Sequence, residues 1–133
     1  MTFFVDRSLG ARTVATALRA AGRDVVVHDD TFPPGTPDTE WLAQAGANSW
    51  TVLTKDDRLR YRPAEKQALL QAGVHVVVLT SPSLTGPEMA DLCVRAAPQI
   101  EALTRRHAGQ PMIATLTKGP TLRVVQSGRP DAQ

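Results

Sequence analysis

The chain has 133 residues, 42% of them hydrophobic and 21% charged, which suits one globular domain with a real core and excludes a disordered or fibrous chain. Its formal charge of +2 is too slight to argue alone for a nucleic-acid partner, so local clustering must carry that case. The single cysteine, Cys93, rules out an intrachain disulfide, no Cys/His pattern suggests zinc, and no apolar run is long enough to span a membrane. Residues 1–10 lack the apolar stretch of a signal peptide, so a cytoplasmic protein that does not enter a membrane is the expectation.

In chain order, Thr2–Val5 is a short apolar run and reads as a buried strand. Residues 11–21 read as a helix with Val14, Leu18 and Ala21 on one face, and Gly22 supplies a left-handed stop. Residues 24–28 are rich in valine and read as a second buried strand. A loop over 29–36 follows. Thr36 is then expected to cap a helix that has Pro37 at its first position and runs to about Asn48. Trp50–Thr54 is the third strand, and a basic loop follows it. Pro63 opens a helix that ends at Gly73, and 74–79 form the fourth strand. Thr85-Gly86-Pro87-Glu88 matches a capping box. The helix behind it carries Met89, Leu92, Cys93 and Ala96 on one face, continued by Ile100 and Leu103, with Pro98 expected to kink or split it. Residues 112–117 and 121–125, around Lys118-Gly119-Pro120, read as a hairpin. Residues 1–126 should form a single domain and 127–133 a polar, frayed tail.

Strand–helix alternation implies a mainly parallel sheet with right-handed crossovers. Ligands in such sheets bind outside the carboxyl ends of the strands, where strand order reverses. Asp6 ends the first strand, Asp56 and Asp57 follow the third, and Asp38 opens the helix between the second and third. These four acids can therefore share one edge. Two carboxylates about 5 Å apart repel by about 3 kcal/mol at an effective dielectric near 20, so such a group needs protons or a cation. Mg²⁺, or Mn²⁺ in its place, is the fitting hard ion: it takes oxygen ligands, completes its shell with substrate phosphate, and can activate water. A lone aspartate after a strand is more often a turn or cap residue, so the joint pattern carries the reading. Asp29 and Asp30 read as turn formers, and Glu40 points to another part of its helix.

The second feature is basic. Arg7 follows Asp6, Lys55 precedes Asp56, and Arg58, Arg60 and Arg62 alternate directly after the acidic pair. Beside a metal these groups could hold phosphates, and Tyr61 could stack on a base. The competing reading is a solvated loop whose arginines pair with nearby acids. His28, His75 and His107 have no evident catalytic partner.

Taken together, Phe3-Phe4-Val5-Asp6-Arg7-Ser8-Leu9-Gly10, His28-Asp29-Asp30, Pro37-Asp38-Thr39-Glu40-Trp41-Leu42 and Val52-Leu53-Thr54-Lys55-Asp56-Asp57-Arg58 resemble the PIN-like domains of VapC-type toxins. Those are the ribonuclease halves of VapBC toxin–antitoxin pairs. The resemblance covers roughly residues 3 to 105. It implies an α/β fold, a PIN-like three-layer α/β/α sandwich with a mainly parallel central sheet, here followed by the C-terminal β-hairpin. It also implies metal-dependent cleavage of RNA. On that likeness the metal ligands fall on Asp6, Asp38 and Asp56, Asp57 is a fourth catalytic acid, and Thr54 is a hydroxyl that orients them. RNA and a cognate antitoxin are the implied partners; toxins of this type are often homodimers, and an apolar helix face would serve that. Two positions depart from the pattern. Arg7 stands where many relatives have an acid, and the fourth strand ends in Thr80-Ser81-Pro82, without a late acid. The rival function is a PIN-like module that binds RNA or a protein without cutting. A phosphoacceptor receiver would want an acidic pair at the first strand, and a dinucleotide enzyme would want a glycine-rich loop there; neither is present.

Overall fold

The computed structural model describes residues 1–10 and 12–128. Its six strands are β1 (Thr2–Val5), β2 (Asp24–Val27), β3 (Trp50–Thr54), β4 (His75–Leu79), β5 (Met112–Thr117) and β6 (Thr121–Ser127). They form one sheet in the order β2-β1-β3-β4-β5-β6. The first five are parallel, and β6 returns antiparallel to β5 as the expected hairpin. The helices are α1 (Thr13–Ala20), α2 (His28–Thr31), α3 (Asp38–Ala47), α4 (Arg58–Tyr61), α5 (Pro63–Ala72) and α6 (Gly86–Arg106).

The period of two in each strand divides the core into two layers. Phe3, Val5, Leu53, Val77 and Leu79 point to the face covered by α1 and α6. Phe4, Val52, Val76 and Val78 point to the face covered by α3, α4 and α5. The result is the α/β/α sandwich implied by the PIN-like resemblance. Two glycines end helices as expected, Gly22 with φ of 86° after α1 and Gly73 with φ of 70° after α5. Cys93 is buried in α6, and that burial pushes its thiol up to about 12, as befits a small core side chain.

Several boundaries differ from the sequence reading. Helix α1 begins at Thr13, and Ala11 lies outside the described residues. Strand β2 stops at Val27, because His28 enters a helical turn and buries its ring among Phe4, Phe32 and Trp41. Thr36 does not cap α3: its hydroxyl donates to the Pro33 carbonyl at 2.7 Å, and Pro37 takes the cap position with Asp38 as the first helical residue. The basic loop contains a helical turn, α4, held by the buried Leu59.

Helix α6 opens with both halves of the expected capping box, Thr85 and Glu88, and runs unbroken through Pro98. The proline sits on the exposed face, where water can satisfy the carbonyl that lost its partner, while Cys93, Ala96, Ala97 and Ile100 hold the buried face to the sheet. At the other end of the chain, Ser127 still pairs with Met112, so the last strand passes the expected boundary at 126. The remainder of the expected tail, 129–133, lies outside the described residues. Among the described residues no helix is long and apolar enough to cross a membrane.

Helices α3 and α5 approach so closely at Gly46 that a Cβ there would overlap the backbone carbonyl of Ala72. Gly46→Ala is therefore expected to destabilise the fold by about 1–3 kcal/mol despite alanine's better helix propensity. Urea unfolding at neutral pH measures this, and an unchanged midpoint would contradict the close contact.

Candidate active site

The site starts from a register. Val5 of β1 lies opposite Leu53 of β3, so the next residues lie side by side, Asp6 just past the end of β1 and Thr54 as the last residue of β3. The Asp6 amide completes the ladder by donating to the Leu53 carbonyl at 3.0 Å. The chain turns to opposite sides from here: β2 lies on one flank of β1 and β3 on the other. The crevice between β1 and β3 is thus the point where strand order reverses, the usual ligand position in this architecture.

Asp6 is buried, and its Oδ2 is held by two hydroxyls. Ser8 Oγ donates to it at 2.7 Å and Thr54 Oγ1 at 2.8 Å. The backbone fixes the direction of both protons. Lys55 N–H donates to Ser8 Oγ at 2.8 Å, and Asp56 N–H donates to Thr54 Oγ1 at 3.0 Å. An amide can only donate, so each hydroxyl accepts there and turns its own hydrogen toward Asp6. Asp6 Oδ1 has no hydrogen-bond partner among the described residues. Ser8 was absent from the predicted site, although the Asp6-Arg7-Ser8 spacing carries its signal: an aspartate followed two residues later by a donor forms a tight local turn.

The other three acids are each engaged. Asp38, at the first position of α3, accepts from Trp41 Nε1 at 2.9 Å. Trp41 is itself buried and stacked on Phe4, with ring centroids 5.3 Å apart. Both oxygens of Asp56 are taken by Arg58: Oδ1 accepts from its amide at 3.0 Å and its Nε at 2.8 Å, and Oδ2 from its Nη2 at 2.8 Å. Asp57 turns away to pair with Arg60. Among the described residues no three acidic, histidine or cysteine side chains are gathered closely enough to hold one ion. The donor chemistry nevertheless fits a hard divalent cation. Asp6, Asp38 and Asp56 offer carboxylate oxygens, and the Thr54 hydroxyl ties the Asp6 carboxylate to the Asp56 amide. The pKa of the Arg58 guanidinium is raised by its hydrogen bond to Asp56 and, more weakly, by the charge of Asp38.

The basic residues divide by helical geometry. On α4, Arg58 and the following Arg62 are four residues apart and share a face, whereas Arg60 points elsewhere. Arg58 is 60% exposed, Arg62 lies 4.0 Å from Glu65, and Arg60 is only 19% exposed, paired with Asp57. The Arg60 guanidinium also lies 4.9 Å from the centre of the exposed Tyr61 ring. Arg7 pairs with Asp29 at 3.2 Å on the β2 side, and Lys55 has no acidic partner among the described residues. The three histidines bond elsewhere: His28 to Asp29, His75 Nε2 to the carbonyls of His107 and Gln110, and His107 to the Leu103 carbonyl.

Residues 1–81, more than half of the chain and the segment holding all four acids, match the family described as "PIN like domain". The chain belongs to the PIN-like domain family. This PIN-like domain is also 27% identical over 126 residues to the Mycobacterium tuberculosis protein named "Putative ribonuclease VapC45", a match covering 92% of this chain and 90% of the relative. The family match ends just after β4, so α6 and the hairpin fall outside it, whereas the likeness to the mycobacterial protein spans nearly the whole domain.

Two outcomes follow from this network. Thr54 is fully buried, and Thr54→Val keeps its shape while removing the bonds to Asp6 and to the Asp56 amide. A loss of about 1–3 kcal/mol is expected in denaturant unfolding. Asp56 titrates below the usual carboxylate range because Arg58 hydrogen-bonds to it, with partial burial opposing. A depressed carboxyl stabilises the fold above its ordinary value near 4 and loses that contribution as pH falls through the lowered one. The difference in melting temperature between wild type and Asp56→Asn should therefore stay constant from about pH 8 to 5 and change only below about pH 4.

Proposed function

We propose that this PIN-like domain is a metal-dependent endoribonuclease of the VapC type, which hydrolyses RNA phosphodiester bonds at the crevice between β1 and β3. The observation that carries the reading is the joining of Asp6 and Asp56 through one buried hydroxyl, Thr54, at the point where strand order reverses. The likeness to a protein named as a VapC ribonuclease supports the choice of RNA.

In this reading Asp6, Asp38 and Asp56 hold Mg²⁺ or Mn²⁺, directly or through water, and Asp57 assists. A bound ion supplies an activated water and stabilises charge on the phosphate oxygens. The chain's own residues do the rest. Ser8 and Thr54 turn Asp6 so that Oδ1 faces the crevice. Trp41 fixes the carboxylate of Asp38. In this reading Lys55, which has no acidic partner among the described residues, meets the RNA backbone, and Arg7, Arg58, Arg60 and Arg62 would add to it only on leaving the acids they pair with. An antitoxin protein is the expected partner, and its binding over this edge would block the substrate.

The test is cleavage of labelled RNA with Mg²⁺, Mn²⁺ or EDTA, by wild type, Asp6→Asn, Asp56→Asn and Thr54→Val. Either aspartate substitution should lower the rate by more than about 100-fold, beyond the roughly 10- to 100-fold expected of Thr54→Val, whose hydroxyl acts through Asp6. Cleavage by Asp56→Asn at the wild-type rate would remove Asp56 from the site. RNA binding without cutting, unchanged by EDTA, would mark a module that only binds.

A further inference from the structure

Two adjacent Asp–Arg pairs follow β3, and they are built differently. Arg60, paired with Asp57, is largely covered and lies against the Tyr61 ring. Arg58, paired with Asp56, is 60% exposed, while its carboxylate partner is only 18% exposed. In the first pair the guanidinium is packed in place, although its partner Asp57 is 45% exposed. The second is a solvated guanidinium laid across a recessed carboxylate, and rotation of one side chain into water would open it. The Arg58 amide would keep its own bond to Asp56 Oδ1 throughout, so the turn that presents the carboxylate need not unwind.

We infer that Arg58 is an exchangeable counter-ion: Asp56 holds its guanidinium when no metal is bound and releases it to a divalent cation. The inference rests on the metal-binding reading of this edge. It accounts for the lack of a group of three gathered acids among the described residues, since the Arg58 guanidinium already covers one of them. The planar fork occupies both carboxylate oxygens, which a metal would need. The displaced side chain stands beside the crevice, where it can meet a phosphate, so entry of the ion and readiness for the substrate become one event. Exposed ion pairs are weak, so the exchange should cost metal affinity only a few-fold.

Direct Mn²⁺ binding, followed by calorimetry or by the resonance signal of free Mn²⁺ with no RNA present, tests this without reference to cleavage. Arg58→Gln should bind Mn²⁺ about fivefold more tightly than wild type. Arg58→Lys, which keeps the charge but loses the fork, should fall between them. Arg62→Gln is the control: its charge also reaches Asp56, but it makes no hydrogen bond there, so its gain should stay within about twofold. Arg58 is exposed, and a thermal melt of each variant shows whether its fold is intact. Equal gains from Arg58→Gln and Arg62→Gln would reduce the effect to general charge and overturn the exchange. So would an unchanged or weaker affinity in Arg58→Gln, and if Asp56→Asn still abolished binding, the metal reading would stand without the exchange. Failure of both wild type and Arg58→Gln to bind Mn²⁺ at millimolar concentration would overturn the metal reading as well.

Discussion

The parallel pairing of β1 with β3 is the constraint on which the site depends. These strands are far apart in sequence and separated by an excursion through β2, yet their register sets Asp6 beside Thr54. A slip of one residue would turn Phe3 and Val5 to the wrong face and carry Asp6 away from the hydroxyl that holds it. The apolar pattern of the strands therefore protects the polar site: burial on both faces admits one register, and that register positions the carboxylate. The carboxylate in turn accepts hydroxyl bonds whose protons are aimed by backbone amides, so its orientation is settled by the fold before any ligand arrives.

A second support comes from the aromatic cluster beneath the same edge. Phe4 lies fully buried and stacks with both Trp41 and Trp50, with centroids 5.3 and 5.4 Å away. His28 and Phe32 close around it at 5.9 and 6.0 Å. Among the described residues, Trp41 is the member of this group that bonds to one of the four site acids, through its indole N–H to Asp38. Apolar packing of one end of the ring system thus sets the position of a charged group at the other. This is the usual advantage of tryptophan at the boundary between core and site.

Much of this was readable in the sequence because it depends on local chemistry. Valine runs mark two strands of the parallel sheet, although of these only β4 is buried and β2 is a half-covered edge strand. Gly22 and Gly73 mark helix ends, and Thr85 with Glu88 marks the start of α6. Asp6, Asp38 and Asp56 could be assigned to one edge because strand ends in this architecture share it. What was not readable depends on tertiary contacts. His28 leaves the strand pattern because an aromatic pocket from distant segments takes its ring. Arg58, Arg60 and Arg62 look equivalent as an alternating run, but the α4 turn puts Arg58 and Arg62 on one face and Arg60 on another, and each meets a different acid. The bond from Ser8 to Asp6 is local, but the amide that aims the Ser8 hydroxyl comes from Lys55, 47 residues away in sequence. Pro98 is a breaker by local rules, and a packed face of α6 overrides it.

The tight contact between α3 and α5 has a mechanical meaning. Gly46 lies near one end of α3 against Ala72, and Asp38 stands at the other end, about 12 Å away along the axis. A tilt of helix α3 of about 5° about that contact would carry the Asp38 carboxylate through about 1 Å, against the packing of Trp41 on Phe4. The fit of α5 against Gly46 therefore bears on where Asp38 stands, although no side chain of α5 touches it through a hydrogen bond or ion pair among the described residues.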